Sequence, residues 1–258
     1  MADAAPRKIE SLKRSLRLWN YIVALVHSTS FVSLLIISIV NAADVPLVRW
    51  WTDFNQTATS EVIVYGISAT LLPFPAITAL FHLLAAWDVD NYYSEVLCRG
   101  VNRLRWVEYA ITNSLITVSL LTLVGASNLY LIVACVLSNV VMQYFGYAHE
   151  VQNHPANSKP TLTPLLVGFL PFFAIWIATL AYQISGTASP TTYGAVAVYG
   201  SLFFALMFVV PLLVRYSKTG SEKIEVRANY TEEMFYILLS LTAKLFLDWT
   251  VTIGYLTA

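Results

Sequence analysis

A single lysine, Lys244, lies in the middle of the last apolar stretch of this sequence, SLTAKLFLDW at residues 240–249. A charge at the centre of a bilayer costs roughly 2.5–3.5 kcal/mol on insertion scales, so an ammonium at that depth needs a partner or a function. Desolvation favours the neutral amine, which is the nucleophilic form. Ser240 and Asp248 lie one helical turn to either side and share the face of the lysine. The alternative is a lysine that forms an ion pair within the bundle and has only a structural role in helix packing.

Among the other titratable groups inside the apolar stretches, we single out His27, His82 and Glu108. Lys244 follows Tyr230 by about fourteen residues, or roughly 21 Å of helix, which places it near mid-membrane. Glu108 is the carboxylate whose depth suits a contact with it, although a pair with Arg105 at i−3 is the alternative. Each histidine is either a proton-handling group or a core residue bonded to a carbonyl. Asp248 is either part of a polar path or a solvated residue in an outward-facing cavity.

These residues must be positioned by membrane helices. The 258-residue chain is 57% hydrophobic and 12% charged, whereas a soluble domain has about 25% charged residues. Its formal net charge of zero argues against a nucleic-acid partner, and two cysteines cannot form a disulfide framework. We predict an all-α bundle of seven transmembrane helices, with one long helix through the third and fourth segments as an alternative. The segments are 19–41, 60–86, 106–125, 128–147, 163–184, 193–215 and 230–256.

The distribution of basic residues predicts the orientation. Of the 15 Lys and Arg residues, all but two fall before the first segment or in the even-numbered loops, and Arg49 alone lies in an odd-numbered loop. The positive-inside rule therefore predicts a cytoplasmic N-terminus and an extracellular C-terminus in a multi-pass cell-membrane protein. We divide the chain into a basic cytoplasmic tail, residues 1–18, and a membrane domain, residues 19–258.

The motifs resemble those of the heliorhodopsin family, whose members are retinal proteins with inverted topology. The resemblance rests on the lysine motif SLTAKLFLDW, on RWVEYA around Glu108, and on LVHSTS and LFHLLAAW around the two histidines. It covers essentially the whole chain. It implies a rhodopsin-like fold that binds all-trans retinal on Lys244 as a protonated Schiff base.

The resemblance also implies roles for the neighbouring residues. Glu108 would be the counterion and Ser240 a neutral hydrogen-bonding neighbour. His27 and His82, together with Thr78, would line a polar cavity on the cytoplasmic side. A short pair of strands would lie in the first external loop, and the protein would form a homodimer in contact with membrane lipid.

An apolar slot must hold the polyene. Helices four to six supply the predicted pocket residues, although aromatic stripes at this spacing also serve plain packing. These residues are Met142, Gln143, Phe172, Trp176, Phe203, Phe204 and Phe208. Prolines at 73, 75, 171 and 211 predict kinks in the second, fifth and sixth segments.

The predicted function is light sensing without ion pumping. Proton pumps of the rhodopsin type have a second carboxylate eleven residues after the first and an aspartate four residues before the lysine. Here Ser119 and Ser240 occupy those positions. We therefore predict a photoreceptor that is not an enzyme, has no catalytic residues or metal ligands, and acts on an unknown cytoplasmic partner. A light-gated proton or cation channel, with Asp248 on its outward side, is the alternative. A third possibility is a retinal-free transporter that uses Lys244 with Asp248 or Glu108.

Overall fold

The computed structural model describes residues 4–40, 44–52, 58–66, 71–154, 159–185, 192–218 and 226–256. These ranges contain nine helices and two strands. The helices are α1 (Ala4–Val40), α2 (Pro73–Trp87), α3 (Val89–Arg99), α4 (Arg103–Leu123), α5 (Leu129–Gln152), α6 (Thr163–Ser185), α7 (Thr192–Met207), α8 (Val209–Lys218) and α9 (Val226–Leu256). The strands are β1 (Asp44–Thr52) and β2 (Ala58–Gly66).

Five helical stretches within these ranges are long and apolar enough to cross a membrane. They are Ile9–Val40, Leu129–Gln152, Thr163–Ser185, Thr192–Lys218 and Val226–Gly254. The 15-residue α2 and the 21-residue α4 fill the places of the second and third predicted segments. The fold is therefore the predicted seven-helix bundle. We call each of its seven membrane-crossing units a column: α7 and α8 together form the sixth column, and α3 is not one of the seven.

The columns pack as a closed ring. Helix α1 contacts α2 and α9, α2 contacts α4, and α4 contacts α5. Helix α6 packs on α5, and α7 closes the ring between α6 and α9. The inner faces of α2, α4 and α9 consequently point toward a common interior. The outer surface is apolar: Leu25, Leu137, Leu170 and Ile177 are all strongly exposed, so these helices contact lipid.

The second predicted segment is wrong in its first half. Residues 58–66 form strand β2, which pairs antiparallel with β1 in the register Asp44↔Gly66 to Thr52↔Ala58. The stretch EVIVY is rich in β-branched residues and pairs well in a sheet. The strand pair implied by the family resemblance is thus confirmed. The helix begins only at Pro73.

The prolines act differently from one another. Pro73 and Pro75 do not kink a helix, because they lie in the first turn of α2, where backbone N–H groups have no intrahelical partner. Pro171 lies inside the continuous helix α6. Pro211 cannot donate to the carbonyl of Met207, and the sixth column breaks there between α7 and α8. The predicted distortion at Pro211 is confirmed.

Two helix boundaries refine the prediction. Helix α1 extends back to Ala4, so most of the predicted basic tail is helical and continuous with the first span. The chain turns between α4 and α5 at Gly125, whose φ of 84° lies in the left-handed region, and the Asn128 side chain accepts a hydrogen bond from Leu131 N at the start of α5. The single-helix alternative for these segments is therefore wrong.

Candidate functional site

The amine of Lys244 lies at the junction of three helices. Its side chain is buried, with 2% of the residue exposed. Nζ donates to Glu108 Oε1 on α4 at 2.5 Å and to Thr78 Oγ1 on α2 at 2.8 Å. The ring centroid of Tyr109 lies 5.4 Å from the same nitrogen. A buried ammonium is tolerated when it is paired and hydrogen-bonded, and both conditions are met here.

Glu108 pairs with Lys244 rather than with Arg105. The guanidinium of Arg105 instead contacts the carboxylate of Glu150 and donates from Nη1 to Glu233 Oε2 at 2.5 Å. It also lies over the ring of Tyr236, at 3.7 Å from the centroid. The described contacts therefore favour the predicted Lys244–Glu108 pair over the i−3 alternative.

Ser240 and Asp248 are both buried on the face of α9 that carries Lys244. Ser240 lines the cavities on either side of the lysine. Asp248 is completely buried, and its Oδ2 accepts a hydrogen bond from Ser30 Oγ on α1 at 3.3 Å. The alternative of a solvated Asp248 in an open outward cavity is wrong, because α1 covers the carboxyl group.

The two histidines lie side by side, with their ring centroids 6.5 Å apart. Asn20 connects His82 to the next polar group: its Oδ1 lies 2.7 Å from His82 Nδ1, and its Nδ2 donates to Tyr93 OH at 2.8 Å. His27 is fully buried, and neither of its ring nitrogens has a hydrogen-bond partner in the described ranges.

A small polar cavity lies between these groups and the lysine site. It has a volume of about 30 Å³ and is lined by His82, Glu108, Asn20, Tyr93 and Ser240 among others. One water needs roughly 10–15 Å³ on this measure, so the cavity has room for water. His82, one of the three residues predicted to line a polar cavity, lines this one. His27 and Thr78 are not among its lining residues. Thr78 accepts a hydrogen bond from the Lys244 amine instead.

An apolar slot extends from Lys244 in the other direction. It consists of a cavity of about 100 Å³ at the lysine and an adjoining one of about 110 Å³ toward Gly146 and Gly168. The two share four lining residues, Asn113, Met142, Ala205 and Phe208. Six of the predicted pocket residues line one or both: Met142, Gln143, Phe172, Trp176, Phe204 and Phe208. The seventh, Phe203, is 56% exposed and lines neither, because it points outward from α7 while Phe204 points inward. The prediction for Phe203 is wrong.

Two polar side chains of the slot, Gln143 and Asn139, form a hydrogen-bonded chain with Ser114. Gln143 Nε2 donates to Asn139 Oδ1 at 3.0 Å, and Asn139 Nδ2 donates to Ser114 Oγ at 2.9 Å. At the far end, a Cβ on Gly146 would lie 2.2 Å from the Trp106 ring, so glycine allows the indole to close the slot. The site thus has one reactive amine, one adjacent carboxylate and a narrow apolar extension.

A sequence model of the family described as Heliorhodopsin matches residues 16–256. The chain belongs to the heliorhodopsin family. No curated protein matches the sequence. As a heliorhodopsin it is a rhodopsin-like, retinal-binding, light-sensing membrane protein, and its chromophore is retinal. The residues of the site fit that group, because retinal needs an amine for its aldehyde end and an apolar slot for its polyene.

Sequence reasoning missed several residues of this site. Asn20 and Asn113 are uncharged polar residues within apolar segments, and the depth argument used for ionisable groups would also have selected them. The network of Arg105, Glu150 and Glu233 was missed because these residues lie near the segment ends, where charges are expected to be solvated. The structure shows them buried instead.

This network yields a stability prediction. We expect Arg105→Met to lower the free energy of unfolding by about 3–5 kcal/mol, because it leaves two carboxylates buried without their cation. Arg14→Met is the matched control, since Arg14 lies 3.6 Å from Glu10 in an exposed pair of the kind that contributes about 0.5 kcal/mol or less. Unfolding in detergent, followed by helix content, measures both. Equal losses in the two variants would contradict the prediction.

Proposed function

We propose that this heliorhodopsin is a light sensor with all-trans retinal attached to Lys244 as a protonated Schiff base, Glu108 as the counterion, and an output by conformational change. The observation that carries this proposal is the 2.5 Å contact between Lys244 Nζ and Glu108 Oε1 at the head of an apolar slot. A buried iminium needs an anion at short range in a medium of low dielectric. Glu108 supplies one.

The chain prepares the amine for attachment. When bound, retinal supplies an aldehyde that condenses with the amine with loss of one water, and a polyene that isomerises in light. Glu108 Oε1 takes a proton from the Lys244 ammonium, which leaves the nitrogen lone pair available. Thr78 Oγ1 accepts a second N–H bond and holds the nitrogen in position. After the condensation, Glu108 would return this proton to the nitrogen and, as a carboxylate again, would stabilise the positive charge there.

His82 is the group best placed to handle a proton released from this site. It shares the small polar cavity with Glu108, and its Nε2 has no hydrogen-bond partner in the described ranges. His27 lies beside it as the second member of the pair. Near them, the Arg105 network connects α4, α5 and α9. A change of charge in the cavity would shift the equilibrium between packing arrangements of these helices. Such a population shift is a conformational signal.

Absence of pumping is expected because the two relay positions carry hydroxyl groups. Ser119 Oγ donates to the carbonyl of Leu115 within α4, and Ser240 cannot hold a negative charge. We expect illuminated cells to show no sustained external pH change that a protonophore abolishes. A strong, protonophore-sensitive change would contradict a purely sensory role.

A light-gated conductance is the second candidate, and buried Asp248 favours it because it lies one turn outward of Lys244. Photocurrents under voltage clamp distinguish the two functions. A current present in the native chain and lost in Asp248→Asn would support conductance. A native chain without current would support the sensor.

We further propose that the N-terminus is cytoplasmic, from the excess of basic residues on that side. A tag placed after Ala258 is expected to be labelled in intact cells, and one placed before Met1 only after permeabilisation. The reverse pattern would contradict this orientation without affecting the retinal site. A homodimer, which the family resemblance supports, and an unknown cytoplasmic signalling partner, which a non-pumping sensor would need, are further parts of the proposal.

A further inference from the structure

A large cavity lies at the end of the bundle where α3, α4 and α5 meet the polar surface. Its volume is about 570 Å³. Its rim carries Arg99 at the end of α3, Arg103 at the start of α4 and His154 just after α5. Its deeper wall includes Tyr147, Val107 and Val151. We refer to this cavity as the basic groove.

The polarity of the basic groove changes with depth. Arg103 is the first residue of α4, and Val107 follows one turn deeper, about 6 Å along the helix axis. On α5 the order runs the other way along the chain, with Tyr147 and Val151 inside the span and His154 beyond its end. Cationic and polar groups therefore lie at the membrane surface, and apolar groups lie directly beneath them.

The charge of the groove suits an anion. Its lining in the described ranges contains no carboxylate. Nearby Glu150 and Glu233 are buried and bound to Arg105. Burial, and after it the positive charges of Arg215 and Arg99, lower the pKa of His154, so the cationic groups of the rim are Arg99 and Arg103.

The open side of the groove faces the lipid. Val107 is 52% exposed and Val151 is 43% exposed, and both are on helices of the bundle. A small soluble anion would gain nothing from such an apolar wall. A molecule that has a phosphate at the surface and a hydrocarbon chain below it would contact both parts.

We propose that the basic groove binds an anionic phospholipid, with the phosphate between Arg99 and Arg103 and an acyl chain along Val107 and Val151. Basic pockets between membrane helices on the cytoplasmic side are suited to such headgroups. The proposal does not depend on Lys244 or on the response to light.

The test uses the full-length pigment, purified in detergent and titrated with phosphatidylglycerol or phosphatidylcholine, with bound lipid counted by native mass spectrometry. The native chain is expected to retain phosphatidylglycerol preferentially. Arg99→Gln and Arg103→Gln should each weaken this binding about fivefold, and the double variant about thirtyfold, at about 1 kcal/mol per basic residue. Arg99→Lys with Arg103→Lys keeps the charge and should keep the preference.

The matched control is Arg14→Gln with Arg227→Gln, which removes two exposed charges from the same end of the bundle without altering the groove. It should bind phosphatidylglycerol as the native chain does. The visible absorption of each variant reports folding, and the single variants remain informative if the double variant does not fold. Equal binding of the two lipids, or equal losses in the control, would overturn the proposal. Displacement of the lipid by inorganic phosphate or glycerol phosphate at equal concentration would assign the groove to soluble anions and also overturn it.

Discussion

Replacing Lys244 by alanine is expected to abolish covalent retinal binding completely. Lys244 supplies the only amine that the described part of the slot contains, so no other side chain there can condense with the aldehyde. The measurement is the mass of the retinal adduct after reduction with borohydride. Lys218→Ala removes an amine from the exposed end of α8 and should leave the adduct unchanged.

The Lys244→Ala variant also leaves Glu108 buried without its cation, which is expected to destabilise the fold by about 3–5 kcal/mol. The double variant Lys244→Ala, Glu108→Gln removes both charges and should recover most of that loss. It should fold and still form no adduct. A reduced adduct on this double variant would contradict the assignment of Lys244, whatever the stability of the single variant.

The second large effect is expected in the absorption spectrum of Glu108→Gln. Excitation moves positive charge along the polyene away from the nitrogen, so a nearby carboxylate stabilises the ground state more than the excited state. Without the carboxylate, the protonated pigment should absorb further to the red. If the nitrogen loses its proton at neutral pH, because nothing balances its charge, the pigment should absorb in the near ultraviolet instead.

Acid titration of the native pigment checks the same charge by another route. As Glu108 takes up a proton, the native spectrum should shift to the red, and Glu108→Gln should lack this transition. Asp248→Asn is the control, because Asp248 is buried on the face of α9 that carries Lys244 but accepts its hydrogen bond from Ser30. If Asp248→Asn loses the acid transition and Glu108→Gln keeps it with a native spectrum, Asp248 is the counterion.

Much of the site could be predicted because charges in apolar segments are few and costly. Lys244, Glu108 and His82 stand out in the sequence for that reason, and simple helix arithmetic places them at compatible depths. Depth does not specify direction around a helix. Thr78 was predicted in the polar cavity, yet its hydroxyl faces the amine, because the orientation of α2 depends on its packing against α1 and α4.

The sequence pattern also did not predict which groups surround a polar residue. Arg105 lies near a predicted segment end and three residues before Glu108, so both a solvated position and an i−3 pair suited it. Only the approach of α5 and α9 brings Glu150 and Glu233 to its guanidinium. Because Arg105 is paired with these two carboxylates, Glu108 pairs with Lys244. Residues 58–66 show a similar effect, because an apolar run next to a membrane segment pairs with β1 instead of extending the helix.

By itself, the sequence determined that the chain spans a membrane, roughly where its helices lie and which ionisable residues lie inside them, because charge and hydropathy are properties of single residues and short segments. Only the tertiary structure decided which aromatic residues face the slot. Phe203 and Phe204 are neighbours of the same type, and one faces outward while the other lines the cavity beside Lys244. Lipid tails are as apolar as a protein core, so hydrophobicity does not distinguish the two faces of a membrane helix. Packing against the neighbouring helices does.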